Sequence, residues 1–368
     1  MGGPAVKVAE RHTAPPWQPD PGRLSPRVAR LLWAAFVGIT LAAVIALIPL
    51  PYAILRPGPA TNTLGQVAGK PLVAIEGATT YPTEGALDFT TVSVVGGPGR
   101  RVNAWDLLGA AIDPSAEIFD EDQLFPKGAT SEEVKEENAL EMTTSQHEAA
   151  AVALRSLGKS VPNSYVVASV TKGSGADGVL LAGDVITGVD GEAVASMVDI
   201  QRLVRTHKAG EDVTVSVRRD GAAKDLIVRT TASGDTVVLG VRLRMDYDFP
   251  VAVTIDAGDV GGPSAGTMFA LAVRDLLTPG AMTGGKKIAG TGTIDDAGTV
   301  GPIGGIRQKI VGAKEAGAGY FLAPAANCPE LAGHVPDDIT VVKIATFDEA
   351  VSAVDGIAAG KTGLPSCS

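Results

Sequence analysis

From Leu31 to Leu55 the chain runs 25 residues without a charged side chain. As a helix, such a stretch crosses a hydrocarbon core of ~30 Å with margin. It therefore divides the molecule in two. Ahead of it Lys7, Arg11, Arg23, Arg27 and Arg30 outnumber Glu10 and Asp20, which places residues 1–30 in the cytoplasm and everything after Arg56 outside the membrane. A cleaved signal peptide is the competing reading. Its apolar core is normally ~7–15 residues, and no small-x-small cleavage site follows, so an uncleaved single-pass anchor at 31–55 is favoured. Pro49, Pro51, Pro57 and Pro59 mark the exit from the bilayer, where backbone groups freed from the helix are met by water.

The formal net charge is −10, and because the short tail before the span is basic, the exported part holds all of the acidic excess. That excess argues against nucleic acid or an anionic surface as partner. Cys328 and Cys367 could pair in an oxidising compartment, but Cys367 lies one residue from the end of a polar tail, and no bridge is expected. No metal-ligand spacing is present and no cofactor is implied.

Downstream, Gly304 to Gly317 reads as a helix, introduced by Pro302 and Gly304-Gly305 and closed by Gly317-Ala318-Gly319. At ~100° per residue, Ile306, Ile310, Ala313, Ala316 and Gly317 share one side, and Lys309 falls among them while Arg307, Gln308 and Glu315 point elsewhere. A lysine on a packed face loses hydration, so its pKa falls and a neutral amine, able to act as general base, becomes accessible near pH 7. Taken alone, the bland alternative is a lysine whose stem covers apolar surface.

A matching serine changes the balance. In Gly261-Gly262-Pro263-Ser264-Ala265-Gly266, Pro263 suits a first helical turn, and Thr267 to Leu277 continue as a nearly uncharged helix up to Thr278-Pro279-Gly280. Ser264 thus sits at a helix N-terminus, where free N–H groups stabilise an oxyanion and glycines admit a substrate backbone. An ordinary capping serine is the plain alternative. Of the histidines, His12 precedes the span, His147 and His207 lie in helical patterns and His334 lies in a loop. None has a recognisable catalytic setting, which leaves a serine–lysine hydrolase.

Gly262-Pro263-Ser264-Ala265-Gly266 with Pro302-Ile303-Gly304-Gly305-Ile306-Arg307-Gln308-Lys309 resembles the proteolytic domain of Lon-type serine proteases, in order and spacing across roughly Asp235 to Ile357. The likeness takes in Thr291-Gly292 and Tyr320-Phe321-Leu322-Ala323-Pro324. It implies Ser264 as nucleophile, Lys309 as its base, and Thr291 as the threonine that bonds near the lysine, with an ordinary strand residue in Lys287 to Ile294 as the alternative for Thr291. The bacterial pattern often carries an acid three positions before the serine; here that position is Gly261, with Asp259 two places further back. The ATPase module of the ATP-driven Lon enzymes has no counterpart, and Gly280 to Lys286 is followed by Lys287 where a phosphate loop needs Ser or Thr. ATP-independent work is expected. Lon-type domains form six-membered rings, so a homo-oligomer, as a hexamer, is implied by resemblance.

A second unit, 159–233, resembles a bacterial PDZ domain. Leu180 to Gly191 combines a buried strand with an Asp-Gly turn, Val198 to Thr206 is helical, and Val213 to Arg218 pairs with Lys224 to Thr230 through Asp220-Gly221. PDZ domains take an extended peptide as an added strand, so substrate capture or regulation is implied, with a passive spacer as the alternative. In 56–158, Leu87 to Val95 reads as a strand and Ser131 to Leu157 as one long helix, with a break near Thr143-Thr144 as the alternative, while Gly109 to Lys127 looks like an irregular surface excursion. By analogy with membrane-anchored Lon-like proteins, this segment packs with the protease body of 234–360, which the PDZ unit interrupts; 361–368 is a tail.

The expected fold is α+β: a transmembrane helix, a PDZ domain and a Lon-type proteolytic domain. The expected function is ATP-independent, membrane-anchored endopeptidase cleavage of exported or membrane-associated proteins. The alternative is a catalytically idle PDZ scaffold tethering extracytoplasmic partners; self-cleavage as the only reaction is a third reading.

Overall fold

The computed structural model describes residues 25–67 and 69–367. The basic tail, with His12, lies outside that range. Ser25 caps a helix, Pro26–Ala46, whose 21 residues are all unburied and have a mean hydropathy of 2.1 over their most apolar window. Among the described residues it alone is long and apolar enough to cross a membrane. The apolar stretch 31–55 is therefore not one element. Its last residues belong to a strand, Tyr52–Asn62, in which Ala53, Ile54 and Leu55 are buried in protein. Hydropathy alone cannot separate a span from a core strand that follows it without an intervening charge.

A six-stranded sheet organises the main body. Its order is Thr340–Ile344, Tyr320–Pro324, Lys287–Gly290, Ala86–Gly96, Tyr52–Asn62 and Glu117–Asp120. The first four strands run parallel, and the last two are added antiparallel. Leu87, Asp88, Phe89 and Thr90 are all buried because helices Gly266–Leu276 and Ile306–Glu315 both pack on the strand that carries them. A strand covered on two faces loses the alternation of a half-exposed one. The N-terminal strands and the C-terminal ones thus share one sheet.

The inserted unit has its own sheet, ordered Ala222–Arg229, Asp212–Arg219, Val185–Val189, Asn163–Val170 and Val241–Tyr247, and its own core around Ile186, Val189, Leu203 and Val215. Val241–Tyr247 lies beyond the 159–233 range read from the sequence, yet it pairs along Asn163–Val170 as the edge strand. Asp296 of the main body ties the two units together. It accepts from Arg155 Nη1 at 2.6 Å and from Asn163 Nδ2 at 2.9 Å.

One alternative falls and two expectations need correction. The helix Ser131–Ser156 is unbroken: a Thr130–Glu133 capping box starts it, and the Thr143 and Thr144 hydroxyls donate back to the Ala139 and Leu140 carbonyls without interrupting it. Its alanine-rich second half, Ala149 to Leu154, is buried, with close packing on Gly266–Leu276. Gly109 to Lys127 is not irregular; it holds the last turn of helix Ala104–Ile112, edge strand Glu117–Asp120 and the short helix Glu121–Leu124. Cys328 and Cys367 form a disulfide. The tail is docked, since Lys343 N donates to the Pro365 carbonyl at 2.8 Å and Leu364 packs on the main core.

Candidate active site

Gly262, at φ +83°, turns the chain into Pro263-Ser264, and the helix proper runs Gly266–Leu276 with Ala265 as N-cap and no side-chain cap. Ser264 is therefore not spent on capping. Its carbonyl is held twice, by Gly292 N at 2.8 Å and Thr291 Oγ1 at 2.9 Å. The long helix clamps the turn from the other side: Ser145 Oγ donates to the Pro263 carbonyl at 2.9 Å, and Gly262 N donates to the Asn138 carbonyl at 3.0 Å. A Cβ at Gly266 would meet Ser145 Oγ at 2.6 Å, so only glycine allows this approach. At Gly261 a Cβ would meet that of Asn138 at 2.8 Å. The acid often found at this position in the bacterial pattern has no room here.

The turn Pro302–Gly305 leads into helix Ile306–Glu315, with Gly305 at φ +69° as N-cap. Ile306, Ile310 and Ala313 are fully buried and Lys309 is 2% exposed. Gln308, expected to point away, is buried too, with Nε2 near the Ser115 carbonyl and Glu117 and its Oε1 without a partner among the described residues. The added strand Glu117–Asp120 covers it, and helical periodicity carries no trace of that.

Lys309 Nζ lies 2.6 Å from Ser264 Oγ and 3.0 Å from Thr291 Oγ1. Burial lowers the lysine to about 7, because an ammonium cut off from water is disfavoured. Thr291 sits between strands Lys287–Gly290 and Thr293–Ile294. Its hydroxyl donates to the Ser264 carbonyl and accepts from the amine, so one side chain spans both partners.

A cleft of about 360 Å³ opens on this contact, walled by Thr90 to Ser93 of the central strand, Asp259 to Gly262 of the entrance loop, and the apolar pair Phe89 and Met142. Gly262 N–H is engaged with Asn138 and is not an oxyanion donor; the Ser264 and Ala265 N–H groups take no partner among the described residues. Among the described residues no histidine enters the cleft. His147 lies edge-on to Phe249, His207 Nε2 is 3.2 Å from Asp190, and His334 bonds the Ala332 carbonyl. Asn138, Met142 and Ser145 were not legible as site residues, since each meets the serine turn across more than a hundred residues of chain and no local pattern marks it. Among the described residues no group of His, Cys, Asp or Glu is arranged to hold a metal ion.

An amine stripped of water against a serine hydroxyl, beside a helix start, is the arrangement of a serine hydrolase. Residues 238–356 match the family model of the Lon protease (S16) C-terminal proteolytic domain, and residues 139–230 match that of the PDZ domain. The chain thus carries a Lon-type proteolytic domain, of the S16 serine-protease class, together with a PDZ domain. It is 33% identical over 151 residues to Lon protease 2 of Syntrophobacter fumaroxidans, covering 40% of this chain and 18% of that one. Lon protease 1 of Thermus thermophilus is 38% identical over 94 residues, 26% of this chain and 11% of that one. The chain spans less than a fifth of the length of these curated relatives. Among solved structures, the PDZ domain of the SdrC-like protein from Listeria monocytogenes is 28% identical, with a TM-score of 0.22, covering 23% of this chain and 92% of that one.

Proposed function

We propose that this protein is a membrane-anchored endopeptidase that cleaves exported or membrane-associated proteins without nucleotide, using Ser264 as nucleophile and Lys309 as general base. The observation that carries the reading is the 2.6 Å contact between a buried amine and the Ser264 hydroxyl. Neutral Lys309 takes the hydroxyl proton as Oγ attacks the peptide carbonyl, and the Ser264 and Ala265 N–H groups are the available donors to the oxyanion. The ammonium then returns its proton to the departing amine as the C–N bond breaks. Water, deprotonated by the same lysine, hydrolyses the acyl-enzyme. Thr291 keeps the amine and the serine turn in register.

Helix Pro26–Ala46 would anchor the molecule with its N-terminus in the cytoplasm and its cleft outside. The PDZ unit would present peptides: edge strand Val241–Tyr247 and helix Met197–Val204 flank a groove of about 480 Å³ lined by Ile200, Val204, Leu239 and Val241. A ring of identical copies follows from the Lon likeness. The test is cleavage of an unfolded protein by the full chain in detergent, compared with Ser264→Ala and Lys309→Ala. Loss in both supports the proposal; full activity in Ser264→Ala removes it.

A further inference from the structure

Helix Ala104–Ile112 packs one face on the main body and leaves the other, apolar face uncovered. Asn103 caps it in a capping box with Asp106, and its inner face, Leu107 and Ala110, packs on Ile54 and Val102. Its outer face carries Trp105, Leu108 and Ile112, which are 47%, 54% and 78% exposed. With Ala111 also exposed, this face holds no charged side chain. Spacings of three and four residues put the large side chains on one stripe, which a water-facing helix would fill with polar residues.

The position of this helix names its partner. Trp105 Nε1 donates to the Ala42 carbonyl at 3.1 Å, which docks the helix onto the last turn of Pro26–Ala46. At ~1.5 Å per residue, Ala42 lies about 6 Å inside the C-terminal end of that helix, the depth at which membrane proteins place tryptophan. Leu47 and Ile48, both exposed, continue the apolar surface across the gap. Arg100 and Arg101, exposed just before the helix and in no ion pair among the described residues, are placed to reach headgroups with their stems in the apolar layer.

We infer that helix Ala104–Ile112 is an interfacial helix that seats its Trp105–Leu108–Ile112 face in the outer leaflet and holds the protease body at a fixed height over the bilayer. The inference rests on the anchor reading of Pro26–Ala46. Of the three tryptophans, Trp17→Phe with Trp33→Phe leaves Trp105 as sole emitter, and Trp17→Phe with Trp105→Phe leaves Trp33.

Both forms of the full chain are reconstituted in phosphatidylcholine vesicles containing lipids brominated near the headgroup or deep in the acyl chain. The expected result is a blue-shifted Trp105 emission quenched most by the shallow label, with Trp33 also quenched by lipid. Adding Leu108→Glu and Ile112→Glu to the Trp105 form should abolish most of that quenching. Trp33 quenched but Trp105 untouched by lipid overturns the interfacial helix and leaves the anchor standing. Trp105 shielded from both brominated lipid and aqueous acrylamide overturns it in favour of a second copy of the chain. Neither tryptophan quenched removes the anchor and this inference with it.

Discussion

Thr90 donates its hydroxyl to the carbonyl of Gly290, at 3.2 Å and 200 residues further along the chain. The same two strands pair in parallel register from Ala86 opposite Lys287 to Phe89 opposite Gly290. The strand that walls the cleft and the one that delivers Thr291 are therefore neighbours in one sheet, although the whole PDZ unit lies between them in sequence.

A chain cut to residues 234–368 should consequently fail to fold, because it loses strands Ala86–Gly96, Tyr52–Asn62 and Glu117–Asp120, half of the main sheet, and the helix that clamps the serine turn. Circular dichroism should show no cooperative melting for the fragment. A sharp transition, with serine-probe labelling retained, would show that the C-terminal region is self-sufficient.

Thr291 spans Lys309 and the Ser264 carbonyl, so Thr291→Val should misplace the amine and lower kcat by about 100-fold with KM little changed. Thr291→Ser, which keeps the hydroxyl, should recover most of the loss. Equal kinetics for the two variants would reduce Thr291 to a packing role.

Lys309 is depressed to about 7 in the folded protein, against ~10.4 for an unfolded lysine. Between those values the unfolded chain carries the extra proton, so unfolding takes one up and stability rises with pH across that window; below about 7 the cost of the buried charge is complete. Lys309→Met, similar in volume and apolar, should stabilise the fold by on the order of a few kcal/mol near pH 7 while abolishing turnover. Denaturant titration of both forms checks this.

Glu148 is raised to about 7, first by burial and then by the nearby Asp295 and Asp296 carboxylates. A folded-state carboxyl raised above its unfolded value holds its proton longer in the native state, so stability falls as pH rises from ~4.3 to about 7. Glu148→Gln should raise Tm at pH 8 and leave it unchanged at pH 4. An equal shift at both values would contradict the assigned cause.

The Cys328–Cys367 bridge closes a segment with a sequence separation of 39, for which loop-closure entropy gives about 4 kcal/mol. Reductant, or Cys367→Ser, should lower the unfolding free energy by up to that amount and release the tail that bonds Lys343. An unchanged transition would show that the tail stays docked without it.

The sequence made the lysine helix and the serine turn legible because both are local: a helical period places Lys309 among Ile306, Ile310 and Ala313, and glycines with proline mark the turn around Ser264. Their meeting across 45 residues rested on family resemblance rather than on periodicity. What stayed hidden is non-local. Ala53, Ile54 and Leu55 are as apolar as the helix before them, and only strand pairing shows that they are core. Cys367 looked stranded in a polar tail, since nothing near it in sequence signals Leu364 packing on the main body. Gln308 is buried by an edge strand from a stretch without a clear period, so its own helix gave no warning.

The proposed chemistry depends on the amine beside Ser264. Its most direct test is the pH dependence of Ser264 acylation by an activated-ester probe, followed in the intact chain, in Glu148→Gln and in Lys309→Ala. The rate should rise with a single apparent pKa of about 7, be unaltered in midpoint by Glu148→Gln, and fall by at least about a thousand-fold in Lys309→Ala. A profile flat from pH 5 to 9, or a Lys309→Ala protein acylated as fast as the parent, would contradict it.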